Sequence, residues 1–368
     1  MSSNQRNPRT RPVFKLSAVD DQEKFKPVPL PSGKYPYRLN IKDVIPGLPQ
    51  SGFAFHIVGD TGGTRSPEYQ KSVVDEMIRQ CSETTRDNEK PQFLFHLGDV
   101  VYNFGQASEY YDQFFNPYRD YPCPIFAIPG NHDADVNPLD KEQPRTLDAF
   151  ETVFCDTESR SLKLARDTGR KSNIQPNFYW VLETPLADII GLYSNVPKFG
   201  NIQKDQREWF IEALKTSATK SKAIIICVHH APYSADINHG SSIHMMALID
   251  GAAREAKVVP DLVLSGHVHN YQRFVKRYPD KTVPFIVAGG GGYADLHPIA
   301  KPDDPDFSDD SCLLDGVELQ NYCDDTHGFL KIGIGKKSGK VVISGEYYTT
   351  GINQPQPFDR FTISVPGR

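Results

Sequence analysis

The 368-residue sequence has few cysteines and no long run of apolar residues. No apolar stretch reaches the roughly 18 residues that a membrane-spanning helix needs. The six cysteines include no C-x-x-C pair, which argues against a disulfide scaffold or a zinc knuckle. Only Cys312 and Cys323 lie in one short loop where a local bridge merits a test. The chain therefore has to fold around an apolar core instead of cross-links.

Strong charge of either sign is also missing. The formal net charge is −5, so no nucleic-acid partner is expected, while small phosphates remain compatible because a metal site brings its own positive charge. The first residues, MSSNQRNPRTRPVFKLSAVDD, lack the apolar stretch of a secretory signal. We expect a cytoplasmic protein with no membrane partner, or export by another route. The sequence does not specify an oligomeric state.

Short apolar runs that each end at glycine or a polar residue recur along the chain: FAFHIVGD, QFLFHLGD, PIFAIPGNHD, KAIIICVHH, PDLVLSGHVH and VPFIVAGGGG. Each has the length and composition of a strand. Amphipathic stretches such as SPEYQKSVVDEMIRQC separate several of them, and GFLKIGIGKKSGKVVISGEYYTT predicts a hairpin that turns at KKSG. The pattern predicts an α/β sandwich with mixed sheets.

The two ends of the chain differ from this pattern. Residues 1–50 are rich in proline and basic groups, and we interpret them as an extended lead-in to a catalytic domain at 51–368. Residues 301–327 contain many aspartates without the spacing of a calcium loop, so we predict an acidic, solvated loop insertion that acts as a lid.

Six polar residues follow five of the apolar runs, and parallel strands bring such positions together at the carboxyl edge of a sheet. These residues are Asp60, Asp99, Asn131, His230, His267 and His269. Singly, each has a structural explanation: a helix cap, an Asx turn or a buried histidine pair. Together, the oxygen and nitrogen ligands suit iron, zinc or manganese. Glycines precede four of them, and we expect these glycines to supply unusual backbone angles.

The blocks GDTGG, GDVVY, GNHD, HHAP and GHVH, in this order, resemble the signature of the calcineurin-like metallophosphoesterases, whose fold is a four-layer α/β/β/α sandwich. The resemblance covers about Phe53 to Arg273. GDVVY places Tyr102 three residues after Asp99, as in purple acid phosphatases. The resemblance implies Fe(III) held by Asp60, Asp99, Tyr102 and His269. It implies Fe(II), Zn(II) or Mn(II) held by Asp99, Asn131, His230 and His267.

The same resemblance assigns roles around the metals. His230 is preferred over His229 because the family's ligand lies two residues before a proline, as His230 does before Pro232. His132 is similar to the histidine that contacts the phosphate and protonates the leaving group, and Asp133 to the acidic residue that orients it. His239 falls near a phosphate-contacting histidine of plant members, although a surface histidine would explain it equally well.

The function predicted from these features is a binuclear metal-dependent acid phosphatase. It would hydrolyse phosphate monoesters by attack of a metal-bound hydroxide and release inorganic phosphate. One alternative is a phosphodiesterase or nucleotide pyrophosphatase that uses Mn(II) or Zn(II) at the same site. Another is a catalytically inactive phosphate-binding module.

Overall fold

The computed structural model describes residues 10–17, 19–63, 65–141, 144–351 and 356–365. In these ranges the α-helices are α1 (Pro67–Glu83), α2 (Asn131–Ala134), α3 (Asp148–Phe154), α4 (Lys204–Ala218) and α5 (Ile243–Ala256). Short 3-10 turns lie at Gln22–Lys24, Ile41–Asp43, Ala107–Glu109, Lys163–Thr168 and Cys312–Leu314, and one π-helical turn at Tyr111–Phe115. The helices predicted from apolar spacing correspond to α1, α4 and α5.

The strands, in chain order, are β1 (Phe14–Lys15), β2 (Arg38–Asn40), β3 (Gly52–Val58), β4 (Pro91–His96), β5 (Ile125–Ala127), β6 (Trp180–Glu183), β7 (Ala187–Leu192), β8 (Ala223–Val228), β9 (Leu262–Ser265), β10 (Tyr271–Arg277), β11 (Thr282–Ala288), β12 (Phe307–Ser308), β13 (Val317–Cys323), β14 (Gly328–Lys337), β15 (Lys340–Thr349) and β16 (Asp359–Ser364). One sheet has the order β16-β15-β14-β3-β4-β5, and a second has the order β13-β10-β11-β9-β8-β7-β6-β2. Strands β1 and β12 form a separate pair. Both large sheets mix parallel and antiparallel neighbours.

Alternation along β8 shows how the layers are built. Ala223, Ile225 and Cys227 lie in the core between the two large sheets, whereas Ile224 and Ile226 face the opposite way, against α4 and α5. Side chains of a strand point alternately to the two faces, so a strand covered on both sides must be apolar throughout. This explains the unbroken apolar run KAIIICV.

The core between the sheets takes its side chains from both of them, for example Phe55 from β3 and Leu264 from β9. On the outer face of the six-stranded sheet, Val74 and Met77 of α1 pack in a second core. Helices α4 and α5 cover the eight-stranded sheet. The prediction of a four-layer sandwich with mixed sheets is confirmed.

Part of the predicted lead-in packs into this body. Strand β2 pairs in parallel with β6 at the edge of the second sheet, and Val13, Leu39 and Ile41 are buried. The segment therefore contributes an edge strand to the sandwich, which a proline-rich composition does not reveal. The domain boundary at residue 50 stays a prediction, and residues 1–9 lie outside the described ranges.

The acidic segment 301–327 is a loop only in part. It begins with exposed residues and includes β12, but β13 at its end forms the outer strand of the eight-stranded sheet, next to β10. Its cysteines, Cys312 and Cys323, are both free thiols, so the local bridge does not form. The predicted hairpin is present as β14 and β15, with Ser338 and Gly339 at positive φ in the turn. Among the described helices, none combines the length and apolarity that crossing a membrane requires.

Candidate metal centre and active site

The predicted ligands follow strands from both large sheets. Asp60, Asp99 and Asn131 come after β3, β4 and β5 of the six-stranded sheet, and His267 and His269 come after β9 of the other. Loop hydrogen bonds join these ends: the Asp60 amide donates to Gly98 at 3.0 Å, and the Asp60 carboxylate accepts the His267 amide at 2.8 Å. The strand ends of two sheets therefore converge on one place.

Three of these residues adopt left-handed backbone conformations, with φ of 59° at Asp60, 53° at Asp99 and 66° at His267. Such angles are uncommon for residues with a Cβ and cluster at functional sites. We expected the preceding glycines to supply the unusual angles. Of these, only Gly98 has a positive φ, so the expectation is wrong for Gly59, Gly130 and Gly266.

Close approach explains two of these glycines instead. A Cβ at Gly130 would lie 2.1 Å from Oδ1 of Asp99, and one at Gly266 would lie 2.6 Å from Oδ2 of Asp60. No side chain fits at such distances, so the loops can lie directly against the two carboxylates only where glycine is present.

One group of ligand atoms surrounds the side-chain oxygen of Asn131. Its Oδ1 lies 3.0 Å from Nε2 of His229 and 3.0 Å from Nδ1 of His267. Ligand atoms of Asp99, His229 and His267 all lie within 4.8 Å of one another. This set has the size and chemistry of one metal site.

A second group lies on the other side of Asp99 and contains the predicted tyrosine. The Tyr102 hydroxyl lies 3.3 Å from Oδ1 of Asp60 and 3.3 Å from Nε2 of His269. Nε2 of His269 is 3.6 Å from the same Asp60 oxygen. A phenol, a carboxylate and an imidazole thus face a common point.

Backbone carbonyls fix the orientation of all three imidazoles. His229 donates from Nδ1 to Leu97 at 2.9 Å, His267 from Nε2 to Lys198 at 3.0 Å, and His269 from Nδ1 to Asp295 at 3.0 Å. The inward nitrogen of each ring then carries a lone pair, as in metal-ligating histidines. The lone pair of His267 faces the Asn131 oxygen, and so does that of His229 when its ring is neutral, an arrangement that a shared cation would stabilise. The residues present fit a metal.

Buried charge supports the same conclusion. Burial raises the pKa of Asp60 well above its usual range, with a further contribution from Asp99, and burial also raises that of Tyr102. Burial lowers the pKa of His229, but the carboxylate of Asp99 outweighs it, and the pKa rises to about 9. The negative charge of the buried carboxylates thus favours a protonated His229. A bound metal cation would balance the same charge.

The choice of His230 over His229 stays a prediction. His229 lies beside Asn131 and Asp99, because it continues the series Ile225 and Cys227 that faces the other sheet. His230 turns its Nδ1 to the Ser194 hydroxyl at 2.7 Å, while its buried Nε2 has no hydrogen-bond partner among the described residues and its ring lies 4.2 Å from that of His267. The contacts with Asn131 and Asp99 favour His229, which parity along the strand indicates and proline spacing does not.

His132 lies at the site, but Asp133 does not orient it. Nδ1 of His132 donates to the Asn103 carbonyl at 2.7 Å, and its ring packs against Tyr102 at 4.4 Å between centroids. The buried Asp133 carboxylate instead accepts the amides of Val100 at 3.0 Å and Gly130 at 2.9 Å. Asp133 therefore links the loop that carries Asp99 to the loop that carries Asn131 by hydrogen bonds.

A cavity of about 300 Å³ opens above the ligands, with His132 and His239 in its wall. The His239 ring lies 4.0 Å from the His267 ring, so the structure places this residue at the site. Four other wall residues were not predicted from the sequence: Asn238, Tyr293, Asp295 and His297. Three of them follow VPFIVAGGGG, another apolar run that ends in glycine, so the strand-end pattern would have pointed to them.

The family model described as calcineurin-like phosphoesterase matches residues 53–271, more than half of the chain. This chain belongs to the calcineurin-like phosphoesterase family. The match spans the strands and loops that carry Asp60, Asp99, Asn131, His229 and His267.

Within the family, this chain is similar to purple acid phosphatases. It is 25% identical over 179 residues to purple acid phosphatase 22 of Arabidopsis thaliana, covering 46% of this chain and 36% of the relative. It is 35% identical over 81 residues to probable purple acid phosphatase 20 of the same plant, covering 21% of this chain and 18% of the relative. The matches thus span well under half of these curated relatives.

Among solved structures, the chain resembles "GAP50 the anchor in the inner membrane complex of Plasmodium" with a TM-score of 0.55. The identity is 16%, and the alignment covers 86% of this chain and 90% of the other. This likeness shows that the two share a fold.

Proposed function

We infer that this phosphoesterase is a binuclear acid phosphatase that hydrolyses phosphate monoesters. Fe(III) would occupy one site and Fe(II), Zn(II) or Mn(II) the other. The observation that carries this inference is the Tyr102 hydroxyl, 3.3 Å from both Asp60 Oδ1 and His269 Nε2. A phenolate beside carboxylate and imidazole ligands suits iron, and the purple acid phosphatases among the relatives support this choice.

The residues divide between two ions. Asp60, Tyr102 and His269 would hold the first, and Asn131, His229 and His267 the second, with Asp99 between them. When bound, the two ions supply Lewis acidity and an activated water for in-line displacement at phosphorus.

The chain's own groups complete the reaction site. His132 donates from Nδ1 to Asn103, which leaves Nε2 as the atom that can exchange a proton with the departing alkoxide. His239 lies on the opposite wall, beside His267, where it can contact the phosphate. Tyr293 packs against Tyr102 at 4.2 Å between ring centroids and limits the access of water to that phenol.

The test compares Tyr102→Phe with Tyr293→Phe, a matched control that removes one neighbouring phenol. The wild-type protein should contain iron, show a visible charge-transfer band and cleave p-nitrophenyl phosphate best at acidic pH. Tyr102→Phe should lose the band, because no phenolate remains to bind iron, while Tyr293→Phe should keep it. A colourless, iron-free and fully active wild-type protein would contradict the ferric assignment.

Two further outcomes separate the alternatives. Preference for bis(p-nitrophenyl) phosphate over the monoester would indicate a phosphodiesterase. Unchanged turnover after Asp99→Ala would show that any hydrolysis arises elsewhere, as for an inactive binding module.

A further inference from the structure

Further side chains line the cavity wall beyond the predicted ligands. The His239 ring lies 4.0 Å from that of His267, and His297 stacks on His269 at 4.3 Å. Asn238 lines the same cavity, and its Nδ2 lies 3.1 Å from Nε2 of His297. A leaving group attached to a phosphate at the metals would share this cavity with Asn238.

A buried carboxylate fixes the loop that carries Asn238. Asp236 is fully buried and accepts the backbone amides of Asn238 at 3.0 Å and Gly240 at 2.9 Å, together with the Ser234 hydroxyl at 3.0 Å. Its Oδ2 also lies 3.2 Å from Nδ1 of His297. The loop and the imidazole are therefore held in one arrangement before any substrate arrives.

This network determines which way the Asn238 amide points. Nδ1 of His297 lies 3.2 Å from the Asp236 carboxylate, which can only accept. This contact favours the tautomer with the ring proton on Nδ1, in which Nε2 is an acceptor. Only the amide nitrogen of Asn238 can donate to Nε2. The side-chain oxygen is then the atom that Asn238 offers to the cavity.

The charges in the cavity wall restrict which leaving groups can bind beside the side-chain oxygen of Asn238. Neither lysine nor arginine lines the cavity among the residues that the structure describes, whereas Asp295 does. Arg65 at the rim is paired with that aspartate at 3.0 Å. Lys198 acts electrostatically on His239 but does not line the cavity. A neutral leaving group with an O–H or N–H donor would find an acceptor in this wall.

We propose that Asn238 is a specificity-determining residue that selects leaving groups carrying a hydroxyl or amino hydrogen-bond donor, with Asp236 and His297 as its positioning residues. This proposal rests on the proposed phosphatase function and names the class of substrate: phosphate monoesters of small neutral polyols or amino alcohols. Because an unpaired acceptor loses water contacts when an apolar group covers it, the site disfavours esters that lack the donor.

The test uses two substrates that differ only in their hydroxyl groups, glycerol 2-phosphate and isopropyl phosphate. The wild-type holoenzyme should cleave the glycerol ester with a kcat/KM about tenfold higher, the effect of one hydrogen bond. Asn238→Leu, which keeps the side-chain size, should bring this ratio close to one, because neither ester can then donate a hydrogen bond to residue 238. Asn88→Leu, on the exposed surface, is the matched control and should keep the wild-type ratio.

Binding provides a second readout. Calorimetry with 3-hydroxypropylphosphonate and propylphosphonate should show tighter binding of the hydroxylated compound to wild type and equal binding to Asn238→Leu. A ratio of kcat/KM or Kd that Asn238→Leu leaves unchanged overturns the proposal alone. A metal-loaded wild-type protein that cleaves no monoester overturns the proposed function and this inference with it.

Discussion

The two sheets supply chemically different halves of the candidate metal centre. The six-stranded sheet contributes the candidate oxygen ligands Asp60, Asp99 and Asn131, with Tyr102 just beyond, and the eight-stranded sheet contributes the imidazoles. On the oxygen side, no strand end carries two adjacent candidates of the same residue type. On the nitrogen side, β8 ends in two adjacent histidines, of which only His229 faces the other sheet.

The halves also differ in how their groups are held. Asp60 and Asp99 sit on left-handed backbone at φ of 59° and 53°, and glycines at other loops press against their carboxylates. The imidazoles are held through ring nitrogens that donate to backbone carbonyls. The comparison teaches that backbone shape positions the oxygens, whereas hydrogen bonds to the rings position the nitrogens.

The largest effect should come from the adjacent histidines on the nitrogen side. His229→Asn removes a nitrogen that faces Asn131 and Asp99, so we expect about one metal per chain and turnover lower by roughly a thousandfold. His230→Asn is the matched control and should retain two metals and lose less than about tenfold in turnover. Metal analysis and kcat on p-nitrophenyl phosphate measure both. The reverse ranking would restore His230 as the ligand.

On the oxygen side, we expect that adding a Cβ to a glycine beside a carboxylate lowers turnover by displacing the carboxylate, without removing a ligand. Gly130→Ala places a Cβ 2.1 Å from Asp99 Oδ1, so the carboxylate must shift, and turnover should fall about a hundredfold. Gly47→Ala, where no atom lies within 4 Å of the new Cβ, should have no effect. Equal activity of the two variants would show that the close contact does not position Asp99.

A smaller effect concerns the stability of the six-stranded sheet in acid. His56 in β3 is fully buried, and burial lowers its pKa from 6.5 to about 3. The unfolded state therefore takes up a proton first, so this group costs no stability above pH 6.5 and progressively more as pH falls from 6.5 towards 3. At pH 5 the cost is about 2 kcal/mol.

His56→Gln should remove that pH dependence, which urea denaturation at pH 7 and pH 5 would measure. Relative to wild type, the variant should gain about 2 kcal/mol between the two values of pH. The exposed His244→Gln serves as the control and should follow the wild-type curve. A parallel decline in His56→Gln would mean that other groups determine acid stability.

Much of the fold could be predicted because an unbroken apolar run of strand length indicates a strand that is buried on both faces. The run KAIIICV predicted β8, and KKSG predicted the hairpin turn. Strand β2 could not be predicted, since three residues in a proline-rich segment carry no periodic signal and pair with β6 only through the tertiary fold. Strand β13 could not be predicted either, because it lies in an acidic segment and pairs with β10 only in the folded chain.

The candidate site divides in a similar way. Asp60, Asp99, Tyr102 and Asn131 could be placed because each occupies a fixed position after a strand. His229 required the direction of side chains along β8, and the role of Asp133 required knowing which amides approach it. Asn238 and His297 depend on loops about 60 residues apart that meet only in the folded chain, so local sequence could not join them.

The most direct test of a two-metal centre is anomalous X-ray scattering from crystals of the purified protein at the iron and zinc edges. We expect two peaks, one among Asp60, Tyr102 and His269 that scatters at the iron edge, and one among Asn131, His229 and His267. A single peak would contradict this account. A second peak whose metal is coordinated by His230 instead of His229 would contradict it as well.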